Sequence, residues 1–165
     1  MTDAPAPDRT LEQRRLLLEQ VEGRLRIQFE EVDGLDRKAT TVLAATGVTL
    51  GLVINNASTV ATSPVGVQWF YYGALGLLAV ALVAGVYALW PRHLMVVPEP
   101  KPLLEQHAGS LPEFTIGELV STKAAAYERN VVLTKAKGDR VRLQMVLLAL
   151  GGSLLVTAYV LERLV

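Results

Sequence analysis

The sequence contains no cysteine, which excludes disulfides, thiolate nucleophiles and cysteine-ligated metals. Histidine is nearly as scarce. His93 and His107 sit in a proline-rich stretch at a spacing without metal-ligand logic, so no metal site is expected. Charge is missing over long intervals. No Asp, Glu, Lys, Arg or His occurs in the 53 residues between Lys38 and Arg92, and a further 19 residues from Leu143 to Leu161 are uncharged. Runs of this length do not belong to an ordinary soluble domain, and the lack of any acid or base inside them argues against a proton relay or an ion-coupled transporter. Net charge is absent too. With 16 basic and 16 acidic residues, the chain offers neither a simple polybasic lipid clamp nor a nucleic-acid surface. Catalytic signatures are also lacking. The stretch "GELVSTK" has no second glycine for a phosphate loop, and Ser121 and Lys123 cannot face each other on a helix, so no catalytic residue is nominated and no enzyme is expected.

What is present is apolar sequence in blocks. Of the 165 residues 51% are hydrophobic, and the mean hydropathy is +0.33. The uncharged sequence divides into spans at 39–57, 67–90 and 143–161, each long enough to cross a hydrocarbon core of about 30 Å at ~1.5 Å per residue. The Ser/Thr/Asn/Pro/Gly stretch "NNASTVATSPVG" separates the first two and reads as a turn, giving a loop at 58–66. "WFYY" at Trp69 to Tyr72 and "YALW" at Tyr87 to Trp90 bracket the second span, where amphipathic rings favour the headgroup level. Mostly polar sequence precedes the first span and no A-x-A site follows, so that span is expected to be retained rather than cleaved as a signal peptide. The expected fold is an all-α integral membrane protein with three transmembrane helices.

Seven Lys/Arg precede the first span, none lies in the loop, eight lie between the second and third spans and one follows the third. The positive-inside rule then places the N-terminus and 91–142 in the cytoplasm, with 58–66 and the tail 162–165 outside. The cytoplasmic sequence falls into a tail at 1–8 expected to be disordered, an amphipathic helix at 9–38, a proline-rich linker at 91–114 and a second helix at 115–142. Thr10 and Gln13 form a candidate capping box. Leu11, Leu18, Leu25 and Val32 recur at sevens, with Val21 and Leu35 between them and Arg14 and Gln28 as interruptions. The later helix offers a face of Ile116, Val120, Tyr127, Val131, Thr134, Val141 and Met145. Pairing the two helices as a cytoplasmic stalk buries both stripes.

Six of the ten residues from Glu30 to Ala39 are charged, immediately before the first span. On a helix Asp33 can pair with Arg37, while Asp36 and Lys38 point to different sides. One reading is a membrane anchor, with Arg37 and Lys38 reaching the headgroups. The other sets Asp36 and Lys38 against Lys135, Lys137, Asp139, Arg140 and Arg142, as two charged collars at one depth able to hold each other or a ligand. Arg37, Lys38, Arg92, Lys135, Lys137, Arg140 and Arg142 are the phosphate donors on offer, and Tyr127 or Trp90 can stack a base. Gly47 and Gly51 form a G-x-x-x-G pair, and Gly73, Gly76 and Gly85 lie among alanines, which permits close helix approach within one chain or in a homo-oligomer. Thr40, Thr41, Thr46 and Thr49, with Asn55 and Asn56, are candidates for bonds between helices or for a pore lining.

The step "LDRKATTVLAATGVTLGLVI", the turn "LWPRH" and the late helix "YERNVVLTKAKGDRVRLQMVLLALGG" together resemble the small bacterial membrane proteins of the Pycsar transmembrane effector group and the related SLATT effector domains, over about residues 15–160. The resemblance implies an anti-phage effector. Such a protein answers a cyclic nucleotide made by a partner cyclase, assembles in the inner membrane and impairs it, with the cyclic nucleotide as ligand and no resident cofactor. By position, Asp36 and Lys38 match the juxtamembrane step, and Asn130 and Lys137 match polar positions of the late helix. Two departures stand out: no separate nucleotide-sensing domain is present, and the linker is rich in proline. The alternative function is a constitutive helical membrane scaffold whose stalk binds a cytoplasmic protein.

Overall fold

In a computed structural model, which describes residues 9–90 and 112–164, the described residues are helical apart from short connections. Helix α1 runs Arg9–Asn55, α2 is a single turn at Ala57–Val60, α3 runs Val65–Leu89 and α4 runs Pro112–Leu164. Three of them, α1, α3 and α4, are long and apolar enough to cross a membrane. The 47 residues of α1 and the 53 of α4 exceed the roughly 20 that a membrane crossing needs, whereas the 25 residues of α3 match the hydrocarbon thickness at roughly 37 Å. The expected tail at 1–8 and most of the linker at 91–114 lie outside the described residues, as does the side chain of Thr10.

Local chemistry sets the helix ends. The side-chain amide of Asn56 donates to the Leu52 carbonyl (2.9 Å) at the end of α1. The stretch expected to be a plain turn holds α2, because no helix breaker intervenes before Pro64, and Val60 and Ala61 donate to the carbonyls of Asn56 and Ala57. Pro64 then starts α3. Its carbonyl accepts from Val67 (2.9 Å) and Gln68 (3.2 Å), while the Gln68 amide returns to the carbonyls of Ser63 (2.9 Å) and Ala61 (3.3 Å), so the connection keeps few open backbone acceptors. Trp90, before Pro91, ends it. Pro112 opens α4, where its missing N–H costs no helical bond.

The chain divides into two compact units. In the first, built from the start of α1 and the start of α4, the helices run parallel: Arg14 lies beside Gly117, the Lys123 ammonium pairs with the Glu22 carboxylate, and the Gln28 amide donates to the Tyr127 carbonyl (3.4 Å). The sevens of α1 form the packed stripe here, with Leu25 and Val32 buried. Gln28 is buried too, so it belongs to the stripe that it interrupts in sequence.

The second unit holds α3 and the remainders of α1 and α4. On α3 the buried residues are Val67, Tyr71, Ala74, Leu78, Ala81, Gly85 and Ala88, a strict alternation of fours and threes. On α4 Val141, Gln144, Gly151 and Ala158 are buried, on α1 Ala39, Thr46 and Val53, again at multiples of a 3.5-residue period. That period is the signature of knobs-into-holes packing. One apolar cluster joins Ala39, Ala88, Leu89 and Val141, and another joins Val53, Val60, Tyr71 and Leu78 with Leu148 and Leu155. Contacts of Leu35 with Gly138 and of Leu43 near Gly85 and Gln144 show α1 and α4 parallel again, with α3 antiparallel to both.

The outer surface of this unit is apolar. Val48, Leu52, Val80, Val83, Leu150 and Val156 are exposed, as suits contact with lipid tails. Trp69 and Trp90 are both exposed near the two ends of α3, 21 residues or roughly 31 Å apart, the spacing of two headgroup layers. Hydroxyls on the spans bond their own helices. Thr40, Thr41, Thr46 and Thr49 donate to the carbonyls four residues back at 2.7–2.9 Å, and Ser153 and Thr157 do the same. Donation to their own helices hides their polarity from lipid.

Candidate functional site

The charged collar of the second unit is built from the entry of α1, the exit of α3 and the entry of the apolar part of α4. Asp36 and Lys137 form an ion pair, with the ammonium 2.6 Å from both carboxylate oxygens. The Lys137 side chain is 14% exposed and that of Asp36 40%. One turn further along, Ala39 and Val141 are buried in the cluster with Ala88 and Leu89. The pair therefore sits on top of the first apolar layer, where water still reaches the acid but hardly the base. Next to the pair, Leu35 of α1 lies against α4 at Gly138, at a distance a Cβ would meet in ordinary contact.

Arg140, one turn beyond Lys137, lays its guanidinium 4.5 Å from the centre of the Tyr87 ring. Its Nη1 is buried and has no hydrogen-bond partner among the described residues. A stacked arginine with an unfilled donor is suited to a planar or phosphate-bearing anion. Arg37, Lys38, Lys135 and Arg142 are exposed around this pair of contacts, and Trp90 is 63% exposed at the end of α3. Arg92 lies outside the described residues. The structure thus brings Asp36, Lys137 and Arg140 to one end of the second unit with Arg37 and Lys38 on its rim.

Tyr127 and Asn130 belong to the first unit. Tyr127 is half-buried, its carbonyl taken by Gln28, and Asn130 is fully buried and engaged. Of the glycines nominated for close approach, Gly47, Gly51 and Gly76 have nothing within 4 Å of where a Cβ would stand, and Gly73 meets only Leu154 at 3.6 Å. Among the described residues, Gly47, Gly51 and Gly76 therefore face open space, while Gly73 lies at ordinary contact distance from Leu154.

Sequence reasoning missed the buried carboxamide of Gln144. It has no exposed surface, and neither Oε1 nor Nε2 has a hydrogen-bond partner among the described residues. Gly85 makes the room: a Cβ there would overlap the Gln144 amide and stand 2.9 Å from Leu43. Gly151 likewise meets Leu78 at 3.0 Å. The expected packed face of α4 needs correction, because Val131 and Met145 are exposed while their polar neighbours Asn130 and Gln144 are buried. The available signal was the series Lys123, Asn130, Lys137, Gln144, Gly151, Ala158 at sevens, which is mostly polar and so does not look like a seam.

A family model described as the Pycsar effector protein domain, PycTM, matches residues 22–161. The chain belongs to the Pycsar effector family. It is accordingly a membrane effector of bacterial anti-phage defence, and its PycTM family is one of effectors, not a known enzyme family. The matched region contains the whole collar and begins at Glu22, the partner of Lys123. No curated protein and no solved structure matches the chain.

Proposed function

We propose that this PycTM protein answers a cyclic nucleotide made by a partner cyclase, assembles in the inner membrane and impairs it, halting the infected cell. The observation that carries the reading is the Asp36–Lys137 pair, placed where both long helices change from charged to apolar sequence. A nucleotide phosphate competes with the Asp36 carboxylate for Lys137, with Arg37, Lys38 and Arg140 as further donors and Trp90 as a stacking surface. Tyr127 and Asn130 serve the same response from the first unit. Displacing Asp36 removes a cross-helix tie between α1 and α4, so the nucleotide favours an arrangement without that tie. Gly47, Gly51, Gly73 and Gly76 then offer the surface on which protomers approach.

In this reading the N-terminus and 91–142 are cytoplasmic, 58–66 and 162–165 lie outside, and the charged parts of α1 and α4 form a cytoplasmic stalk. The asymmetry of basic residues supports that orientation. Leu16, Leu17 and Ile27 are exposed on the charged part of α1, which favours a second reading in which the stalk of a constitutive scaffold holds a cytoplasmic partner. Inducible expression with a membrane-potential dye separates the two. Co-production of a cyclic-nucleotide cyclase should depolarise cells carrying the protein and leave cells carrying Lys137→Ala polarised. Unchanged potential with each cyclase product would favour the scaffold.

A further inference from the structure

At the end of the second unit opposite the collar, α1, α2, α3 and α4 enclose a half-open cleft of about 450 Å³. Val53, Val60, Val67 and Leu155 make its walls apolar. The polar groups facing it are mostly occupied: the Tyr71 hydroxyl donates to the Val53 carbonyl, Thr49 to Ala45 and the Asn56 amide to Leu52. Glu162 is the one charged residue of the lining. Its carboxylate accepts from the Ser63 hydroxyl at 3.3 Å and remains exposed. The next residue, Arg163, is held on Tyr159, another lining residue, with the guanidinium 5.4 Å from the ring centre and Nη2 3.2 Å from the hydroxyl.

The level of these charges is that of lipid headgroups, since Ser63 lies just before the start of α3, six residues ahead of the exposed Trp69. An apolar cleft at that depth cannot be filled well by water, which needs several polar partners. It is large enough for part of an acyl chain, within the usual range of ligand sites. Glu162 thus lines the cleft, and the Arg163 guanidinium rests on the outer side of the lining residue Tyr159. A lipid that fits both must carry an ammonium group and a phosphate in adjacent positions. Anionic phosphatidylglycerol meets the Glu162 carboxylate as a like charge, and a quaternary choline has no N–H to donate.

We propose that this cleft binds one zwitterionic aminophospholipid, with an acyl chain between Val53, Val60 and Leu155, the amine on Glu162 and the phosphate on Arg163. The site is independent of the collar and of any nucleotide signal. The test is native mass spectrometry of the full-length chain released from detergent after equilibration with phosphatidylethanolamine, phosphatidylcholine or phosphatidylglycerol. Retention of the ethanolamine lipid should exceed that of phosphatidylglycerol by roughly five-fold, the upper range for an exposed ion pair. Glu162→Gln, a change at an exposed position, should bring the two to parity. Leu155→Trp, which fills the cleft, should abolish retention of all three. Equal retention of ethanolamine and glycerol lipids by the unaltered chain overturns the proposal. So does full retention in both variants, or a second protein copy that dissociates with Leu155→Trp while no lipid is carried.

Discussion

Gln144 and Gly85 depend on each other. A buried carboxamide without partners among the described residues costs about 1–3 kcal/mol, and a Cβ at Gly85 would force it and Leu43 to shift. Gln144→Leu removes the unpaired polar atoms at similar volume, and it should raise the thermal unfolding midpoint in detergent by the equivalent of about 1–2 kcal/mol. Gly85→Leu should lower it by about 1–3 kcal/mol through overpacking. A lower midpoint for Gln144→Leu would mean that the amide has a partner in the native protein. The Asp36–Lys137 pair calls for a double-mutant cycle, because either single change also leaves an unpaired charge. Asp36→Asn and Lys137→Met should each destabilise the fold, and the pair together should cost less than their sum, with a coupling of about 1 kcal/mol that shrinks in high salt. Strict additivity would show that the pair holds nothing together. The sequence made Asp36 and Lys137 candidates through their place at matching junctions. It left open whether the collars hold each other or a ligand, and it could not single out Lys137 as the partner of Asp36, since that depends on the register of α4 against α1 across about a hundred residues.

At the scale of the element, α1 was the most legible part of the chain. Its leucines and valines at sevens state the packed face directly, and the polar Gln28 shares it. Leu25→Ala should therefore destabilise the protein by about 2–4 kcal/mol, while Leu16→Ala, at an exposed site, should change the unfolding midpoint by less than about 0.5 kcal/mol. Equal losses would place Leu16 in a buried interface. The face of α4 was harder to read because the rule inverts in lipid. There Leu143, Met145 and Val146 can face outward at no cost, and small or polar residues such as Gly151 and Gln144 turn inward. The α2 turn was hidden for a different reason: Ser, Thr and Asn suit a turn and a short helix equally well, and here the Val60 and Ala61 N–H groups donate to Asn56 and Ala57 before Pro64 intervenes.

At the scale of the whole molecule, three helices able to span a membrane and the PycTM match over residues 22–161 make this a membrane effector. Lack of native cysteine allows its orientation to be read cleanly. Ser58→Cys should react with an impermeant maleimide on intact spheroplasts, and Ser121→Cys only after permeabilisation; the reverse pattern would invert the proposed topology. The class of fold was open to inspection because long uncharged intervals have few other physical meanings. The trigger was not, because an ion pair and a phosphate site use the same residue types. The most direct measurement is made with the purified chain alone, reconstituted into liposomes of bacterial inner-membrane lipids loaded with a self-quenching dye. Addition of pyrimidine or purine cyclic mononucleotides should release dye with at least one of them, and Lys137→Ala liposomes should stay sealed. Liposomes that stay sealed with every cyclic nucleotide, or that leak equally without one, would contradict nucleotide-triggered membrane impairment.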